Sequence, residues 1–254
     1  MRRRSHLLLS VALAAAAALP LAAAAQQQIT VSAAASLTDA FKELGPKFEA
    51  LKPGTTVRYN FAASGALLQQ IAQGAPVDVF ASADQPTMDK ANEQKLVDAA
   101  TRRNFVTNSL VLIEPATGGT GIKALADLNG AAVKKIAIGK VETVPVGRYT
   151  KQVLDGASLW ATLEPKFVQG DSVRQVLDYV ARGEVDAGFV YATDAALMAG
   201  KVKVVLSPNP SSPVTYPVAV VADSKQKALA GDFVAFLTSD AAQQVLQKYG
   251  FGKP

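Results

Sequence analysis

Twice in its first third this chain runs an apolar, strand-like stretch into a serine that opens helical sequence: Val31-Ser32-Ala33-Ala34-Ala35-Ser36-Leu37-Thr38-Asp39, then Phe61-Ala62-Ala63-Ser64-Gly65-Ala66. The first turn of a helix leaves backbone N–H groups without intrahelical acceptors and carries partial positive charge. Two such turns opening into one cleft, each with a serine hydroxyl beside it, could hold an oxyanion without any full positive charge. The alanines before both serines are small enough to let a ligand approach the backbone. A serine in this place more commonly caps its own helix, and Asp39, three residues after Ser36, completes a capping-box pattern. The repetition of one arrangement at two strand ends turns the reading toward a ligand.

Three segments further on have the same character: Val144-Pro145-Val146-Gly147-Arg148-Tyr149, Gly170-Asp171-Ser172-Val173-Arg174 and Phe189-Val190-Tyr191-Ala192-Thr193-Asp194. Each stands where a helix is expected to start. Pro145 and Gly147 suit a close approach of backbone to ligand, and Tyr191 ends a strand where its hydroxyl could face a cleft. Singly, each also has an ordinary reading, as a turn, a core valine or a half-buried tyrosine. Covalent chemistry finds little to work with. The chain has no cysteine, and its one histidine, His6, lies in the leader described next. The usual general base, the thiol nucleophile and the common zinc ligands are therefore missing from the exported chain. Neither Ser36 nor Ser64 lies in a Gly-x-Ser-x-Gly elbow or has a lysine close in sequence, which argues against an exported serine hydrolase.

The elements that must position these residues begin after a secretory leader. Arg2, Arg3 and Arg4 start it, an apolar run extends from Leu7 to about Leu21, and Ala23-Ala24-Ala25 close it, so residues 1–25 are expected to be removed. The run is short for a membrane anchor, Ala-rich and broken by Pro20. Three of the 26 basic residues go with the leader, leaving a near-neutral chain whose basic residues are scattered; nucleic acid is not an expected partner. The secretory start and the lack of a DNA-binding module also argue against a regulator's effector domain. Without disulfides, stability must come from burying one or two cores, which this length allows.

β-rich runs then alternate with helical periodicity to the end of the chain. Strands are expected at residues 29–31, 56–61, 77–80, 110–113, 135–138, 187–191, 202–206 and 214–221, with helices between most of them and closing helices near 224–237 and 239–249. This is α/β logic with mostly parallel sheets and ligands at the carboxyl ends of strands. The length, and the glycine-rich Ala116-Thr117-Gly118-Gly119-Thr120-Gly121 after one strand, favour two lobes over one.

The two serine segments, together with Gly74-Ala75-Pro76-Val77-Asp78-Val79-Phe80-Ala81-Ser82-Ala83-Asp84, resemble the periplasmic molybdate-binding proteins of ABC importers. Val144-Pro145-Val146-Gly147, Asp171-Ser172-Val173-Arg174, Phe189-Val190-Tyr191, Tyr216-Pro217-Val218-Ala219-Val220 and Tyr249-Gly250-Phe251 follow in the family's order and at similar spacing. The resemblance implies a two-lobed periplasmic binding protein fold of type II, with residues 26–107 and 215–254 in lobe 1 and 108–214 in lobe 2. It further implies a non-enzymatic receptor without a cofactor that passes molybdate or tungstate to a membrane permease and works as a monomer in the periplasm. The implied ligand set is neutral throughout: the hydroxyls and amides of Ser36 and Ser64, the amides of Val146 and Val173, and the hydroxyl of Tyr191. Molybdenum enters only as its oxyanion, with no bond from protein to metal. Many relatives have alanine where Val146 stands, an exchange that keeps the amide and alters packing. Asp78 and Asp84 are expected to serve backbone and capping groups. A receptor for sulfate or another small tetrahedral oxyanion is the alternative within the same class.

Overall fold

Apolar residues at positions 173, 176, 177 and 180 make one stripe of a helix, and at 40, 41, 44 and 48 another; in the computed structural model both stripes are buried. The structure describes residues 27–254, so the expected leader lies outside the described residues. The first part of the chain folds as β1 (Gln27–Ala34), α1 (Thr38–Leu51), β2 (Thr55–Ala62), α2 (Ser64–Ala72), β3 (Val79–Ala81), α3 (Gln85–Glu93) and β4 (Arg103–Asn108). Then come β5 (Leu110–Pro115), β6 (Ile136–Gly139), α4 (Pro145–Gly156), α5 (Trp160–Leu163), β7 (Phe167–Gly170), α6 (Val173–Ala181), β8 (Ala187–Tyr191), α7 (Ala192–Leu197) and β9 (Val202–Leu206). The chain closes with β10 (Val214–Val220), α8 (Lys227–Leu237) and α9 (Asp240–Lys248).

The strands form two five-stranded sheets, in the orders β2-β1-β3-β10-β4 and β7-β6-β8-β5-β9. Within each, the first three strands are parallel and the fourth runs against both its neighbours. The fold is therefore α/β and two-lobed, each lobe a mostly parallel sheet flanked by helices. The chain passes between sheets twice, at Ser109 and over residues 207–213. The glycine-rich stretch at 116–121 is no crossing. It follows β5 inside the second lobe, where Thr120 ties back to the buried Glu114 by a backbone N–H bond of 2.7 Å.

Two strands escape the sequence reading, β4 and β7. In β4 only Phe105 and Val106 are buried, among charged and polar neighbours, and β7 is a four-residue edge strand ending in glycine, so neither shows a long apolar or alternating run. Phe105 nevertheless helps to build the first lobe's core. Its ring centroid lies 6.0 Å from that of Phe41, which in turn lies 6.1 Å from Phe233 of α8. Phe41 thus joins α1, the sheet and the returning C-terminal helix, all fully buried. Phe41→Ala is expected to destabilise the protein by about 3–5 kcal/mol, the cost of truncating a buried aromatic. Urea unfolding followed by circular dichroism checks this, and a loss below about 1 kcal/mol would show that Phe41 is not a keystone of that core.

Candidate anion-binding site

Every parallel strand of both sheets delivers a residue to one small cavity between the lobes. From the first sheet come Ala34, Ala35 and Ser36 after β1, Ala63 and Ser64 after β2, and Ala83 after β3. From the second come Val144, Pro145 and Val146 after β6, Val173 after β7, and Tyr191 at the end of β8. All five residues singled out from the sequence thus line one space, and none of the lining residues is charged. The cavity encloses about 10 Å³, close to the least that holds one water molecule.

The serines do not cap their helices. Ser36 lies within a short 3₁₀ turn (Ala35–Leu37) before α1, and Ser64 is the first residue of α2; the cap positions are Ala34 for the turn, Leu37 for α1 and Ala63 for α2. Asp39 completes no capping box, because its carboxylate pairs with Arg174 at 2.7 Å. Both serine side chains are consequently free for other partners. The Ser64 hydroxyl accepts a hydrogen bond from the Ala83 backbone N–H at 3.0 Å, and Ser36 Oγ lies 2.9 Å from the hydroxyl of Tyr216. Val146 and Val173 are the second residue of α4 and the first of α6, so their N–H groups belong to the orphan set of a helix start. Tyr191 is 1 % exposed, and its hydroxyl has no hydrogen-bond partner among the described residues. Burial, with Tyr216, Tyr149 and two carboxylates nearby, holds that phenol well above its ordinary pKa, so it keeps its proton. A buried hydroxyl with a hydrogen to give and nothing to receive it marks a place for an acceptor.

The cationic residues next to the helix starts point elsewhere. Arg148 binds Asp84 through Nε and Nη2, each at 2.7 Å, and Thr87 Oγ1 at 2.7 Å. Arg174 bridges Asp39 of the first lobe and the buried Asp194 of the second. Burial outweighs that pairing and raises the Asp194 pKa to about 6. Asp84 also caps α3 through the Thr87 N–H, while Asp78 accepts from Thr30 N–H at 2.8 Å and from Ser224 at 2.6 Å, so both carboxylates serve the scaffold. The two arginine bridges lie on the helices that present Val146 and Val173, and they join the lobes beside the cavity. Their partners, Asp39, Asp84 and Asp194, sit in distant sequence segments, and no local spacing announces them. Among the described residues no cluster of acidic groups or histidines could hold a metal ion, and no helix is long and apolar enough to cross a membrane.

A two-lobed α/β protein with a small neutral cavity where the lobes meet has the architecture of a solute receptor. Residues 29–252 match the model of the bacterial extracellular solute-binding proteins, and the chain belongs to that family. It is a binding protein and not an enzyme, and it uses no cofactor. Its relatives narrow the class. The chain is 38% identical to the molybdate-binding protein ModA of Escherichia coli (strain K12), over 88% of each chain. It is likewise 38% identical to ModA of Mycobacterium bovis, over 89% of this chain and 85% of that one. Among solved structures it is similar to the periplasmic molybdate-binding protein of Azotobacter vinelandii, with a TM-score of 0.77 and 25% identity over 89% of this chain and 99% of that one.

Backbone meets backbone across the lobes at Gly65, whose N–H donates to the Thr143 carbonyl at 2.9 Å. A Cβ there would stand 2.6 Å from that oxygen and 2.7 Å from Thr143 Cα, both backbone atoms that cannot swing aside. Alanine is otherwise favourable in a helix. With molybdate as the probe, Gly65→Ala is therefore expected to weaken binding about tenfold or more while leaving the melting temperature of the ligand-free protein within a few degrees of wild type. Titration calorimetry paired with a thermal melt checks it, and an undiminished affinity would mean that the lobes need not approach this closely.

Proposed function

We propose that this protein is the exported receptor of a bacterial molybdate importer. In this reading it captures molybdate or tungstate between its lobes and presents the closed complex to the membrane permease of an ABC transporter. The observation that carries the reading is the convergence of Ser36, Ser64, Val146, Val173 and Tyr191, neutral donors from both lobes, on one uncharged cavity. The names of its relatives support the choice of ion. Residues 1–25 would direct export and be removed, and the mature chain would act as a monomer. Lobe 1 would comprise residues 26–107 and 215–254 and lobe 2 residues 108–214, with the hinge at the two crossings.

The chemistry of the donors favours a fully ionised tetrahedral anion. A dianion removed from water needs many donors, and preorganised N–H and O–H groups supply them without a buried countercharge. A protonated anion would bring an O–H to a site built of donors. Charge cannot separate molybdate from sulfate, so size must: the metal–oxygen bonds of molybdate and tungstate are longer than sulfur–oxygen bonds, and a cavity sized for them leaves sulfate with stretched contacts. Tungstate and molybdate should be nearly inseparable.

Native mass spectrometry of the mature protein, with molybdate, tungstate, sulfate and phosphate offered together at equal concentration, is expected to give complexes with the first two. A dominant sulfate complex would make this a sulfate receptor instead. Ser36→Ala, Ser64→Ala and Tyr191→Phe should each weaken molybdate binding by roughly 1.5–3 kcal/mol, the scale of a hydrogen bond to a charged group, with the fold retained. Unchanged affinity in all three would remove the assigned site.

A further inference from the structure

We infer that Asn108 and Tyr216 form a relay that makes the Ser36 hydroxyl a donor toward the cavity, and so helps the site refuse protonated oxyanions. The inference rests on the anion site proposed above and assigns to these two side chains a positioning role outside the cavity itself.

The direction of every hydrogen in the relay follows from one backbone group. The Ser109 N–H can only donate, and it donates to Asn108 Oδ1 at 2.9 Å. The Asn108 amide is thereby oriented, and its Nδ2 must be the atom that faces Thr193 Oγ1 at 2.9 Å and the Tyr216 hydroxyl at 3.2 Å. Tyr216 accepts from Asn108, so its own hydrogen is left for Ser36 Oγ, 2.9 Å away. The phenol is fully buried, and burial together with Asp194 keeps it protonated, so that hydrogen is always present. Ser36, having accepted, has no acceptor for its hydrogen among the described residues other than one placed in the cavity. Were Ser36 to accept from a ligand O–H as well, its hydrogen would be buried without a partner, which disfavours such a ligand. A free serine hydroxyl can either donate or accept; this one is committed to donating. Ser64 is committed in the same way by a backbone group, the Ala83 N–H. Of the two, only the Ser36 relay runs through side chains and can be reversed by substitution.

Asn108→Asp is the reversing variant. A carboxylate keeps the bond from the Ser109 N–H and can accept from Thr193, but it now accepts from Tyr216 as well. Tyr216 must then accept from Ser36, and Ser36 turns its lone pairs to the cavity. The added negative charge would weaken every dianion, so the readout is the preference between sulfate and hydrogen phosphate at pH 8, ions of equal charge and similar size that differ in carrying a proton. Both are measured as competitors of molybdate in titration calorimetry. Asn108→Asp is expected to shift this preference toward hydrogen phosphate by about tenfold, the worth of one hydrogen bond to a charged group. In the double variant Asn108→Asp with Tyr216→Phe the relay is cut, and the shift should vanish although the charge remains. A second measurement does not depend on the aspartate: Tyr216→Phe alone should weaken molybdate binding about three- to tenfold, and not at all in a Ser36→Ala background. A preference unmoved by Asn108→Asp, or moved equally without the Tyr216 hydroxyl, overturns the relay. Equal losses from Tyr216→Phe with and without Ser36 do so too. A wild-type protein that binds no tetrahedral oxyanion would instead overturn the reading of the site on which the relay rests.

Discussion

A doubly charged ion taken out of water between two protein surfaces has to meet hydrogen-bond donors on every side, and in the proposed reading that requirement organises this molecule. Full positive charges would meet it strongly, yet the arginines nearest the cavity are turned aside and neutralised by Asp39, Asp84 and Asp194. What remains at the cavity is the weaker, directional set of hydroxyls and first-turn amides. Such donors spread the ion's charge over several groups and allow release when the lobes part. They work only if they are held in place beforehand, because a donor that must be reoriented or desolvated on binding loses most of its worth.

The two sheets supply that rigidity by solving the same problem twice. The orders β2-β1-β3 and β7-β6-β8 are equivalent, and all six parallel strands end at the cavity. In each sheet the antiparallel fourth strand, β10 or β5, lies beside a crossing between lobes, so the crossing segments are continuous with sheet structure. An aromatic line follows the same path: Tyr149 to Tyr191 at 6.4 Å, Tyr191 to Tyr216 at 5.9 Å, Tyr216 to Phe251 at 5.6 Å. The ring of Tyr191 is therefore packed between residues of both lobes, Tyr149 on one side and Tyr216 on the other.

The segments that line the cavity are legible in the sequence because small residues and helix-start signals sit at strand ends, where β-branched residues stop and alanine, serine or glycine follows, whereas the proposed amide donors Val146 and Val173 come from the family resemblance alone. Strands β8 and β9 could be delimited to the residue for the same reason. The role of the serine hydroxyls was not legible in that way. Local spacing made Ser36 and Asp39 look like a capping box, while in three dimensions Asp39 belongs to Arg174 and Ser36 to Tyr216, 180 residues away. Tyr216 lies in a strand of buried residues and reads as core. Asn108, at a strand end, reads as a turn residue. Nothing local shows that the two meet behind Ser36, since the contact exists only because β10 returns to the first sheet.

Distances between donors, finally, are set by backbone packing that has almost no freedom. A Cβ on Gly147 would lie 2.1 Å from the Gly139 carbonyl, so the first turn of α4 rests directly on the end of β6 and cannot settle closer. Gly170, at the end of β7, sits against Val176 of α6, where a Cβ would lie 2.9 Å from the valine side chain. The amides of Val146 and Val173 are thus fixed to the sheet itself, while Ser64 is fixed through the Ala83 N–H. A cavity whose donors cannot move inward cannot shrink around a smaller ion, and the difference between a longer and a shorter central-atom–oxygen bond becomes a difference in hydrogen-bond length at several contacts together. In the proposed site, selection by size would therefore require no special residue. It would follow from placing donors where a glycine lets backbone touch backbone, and valine in place of alanine at position 146 would leave the amide where α4 holds it.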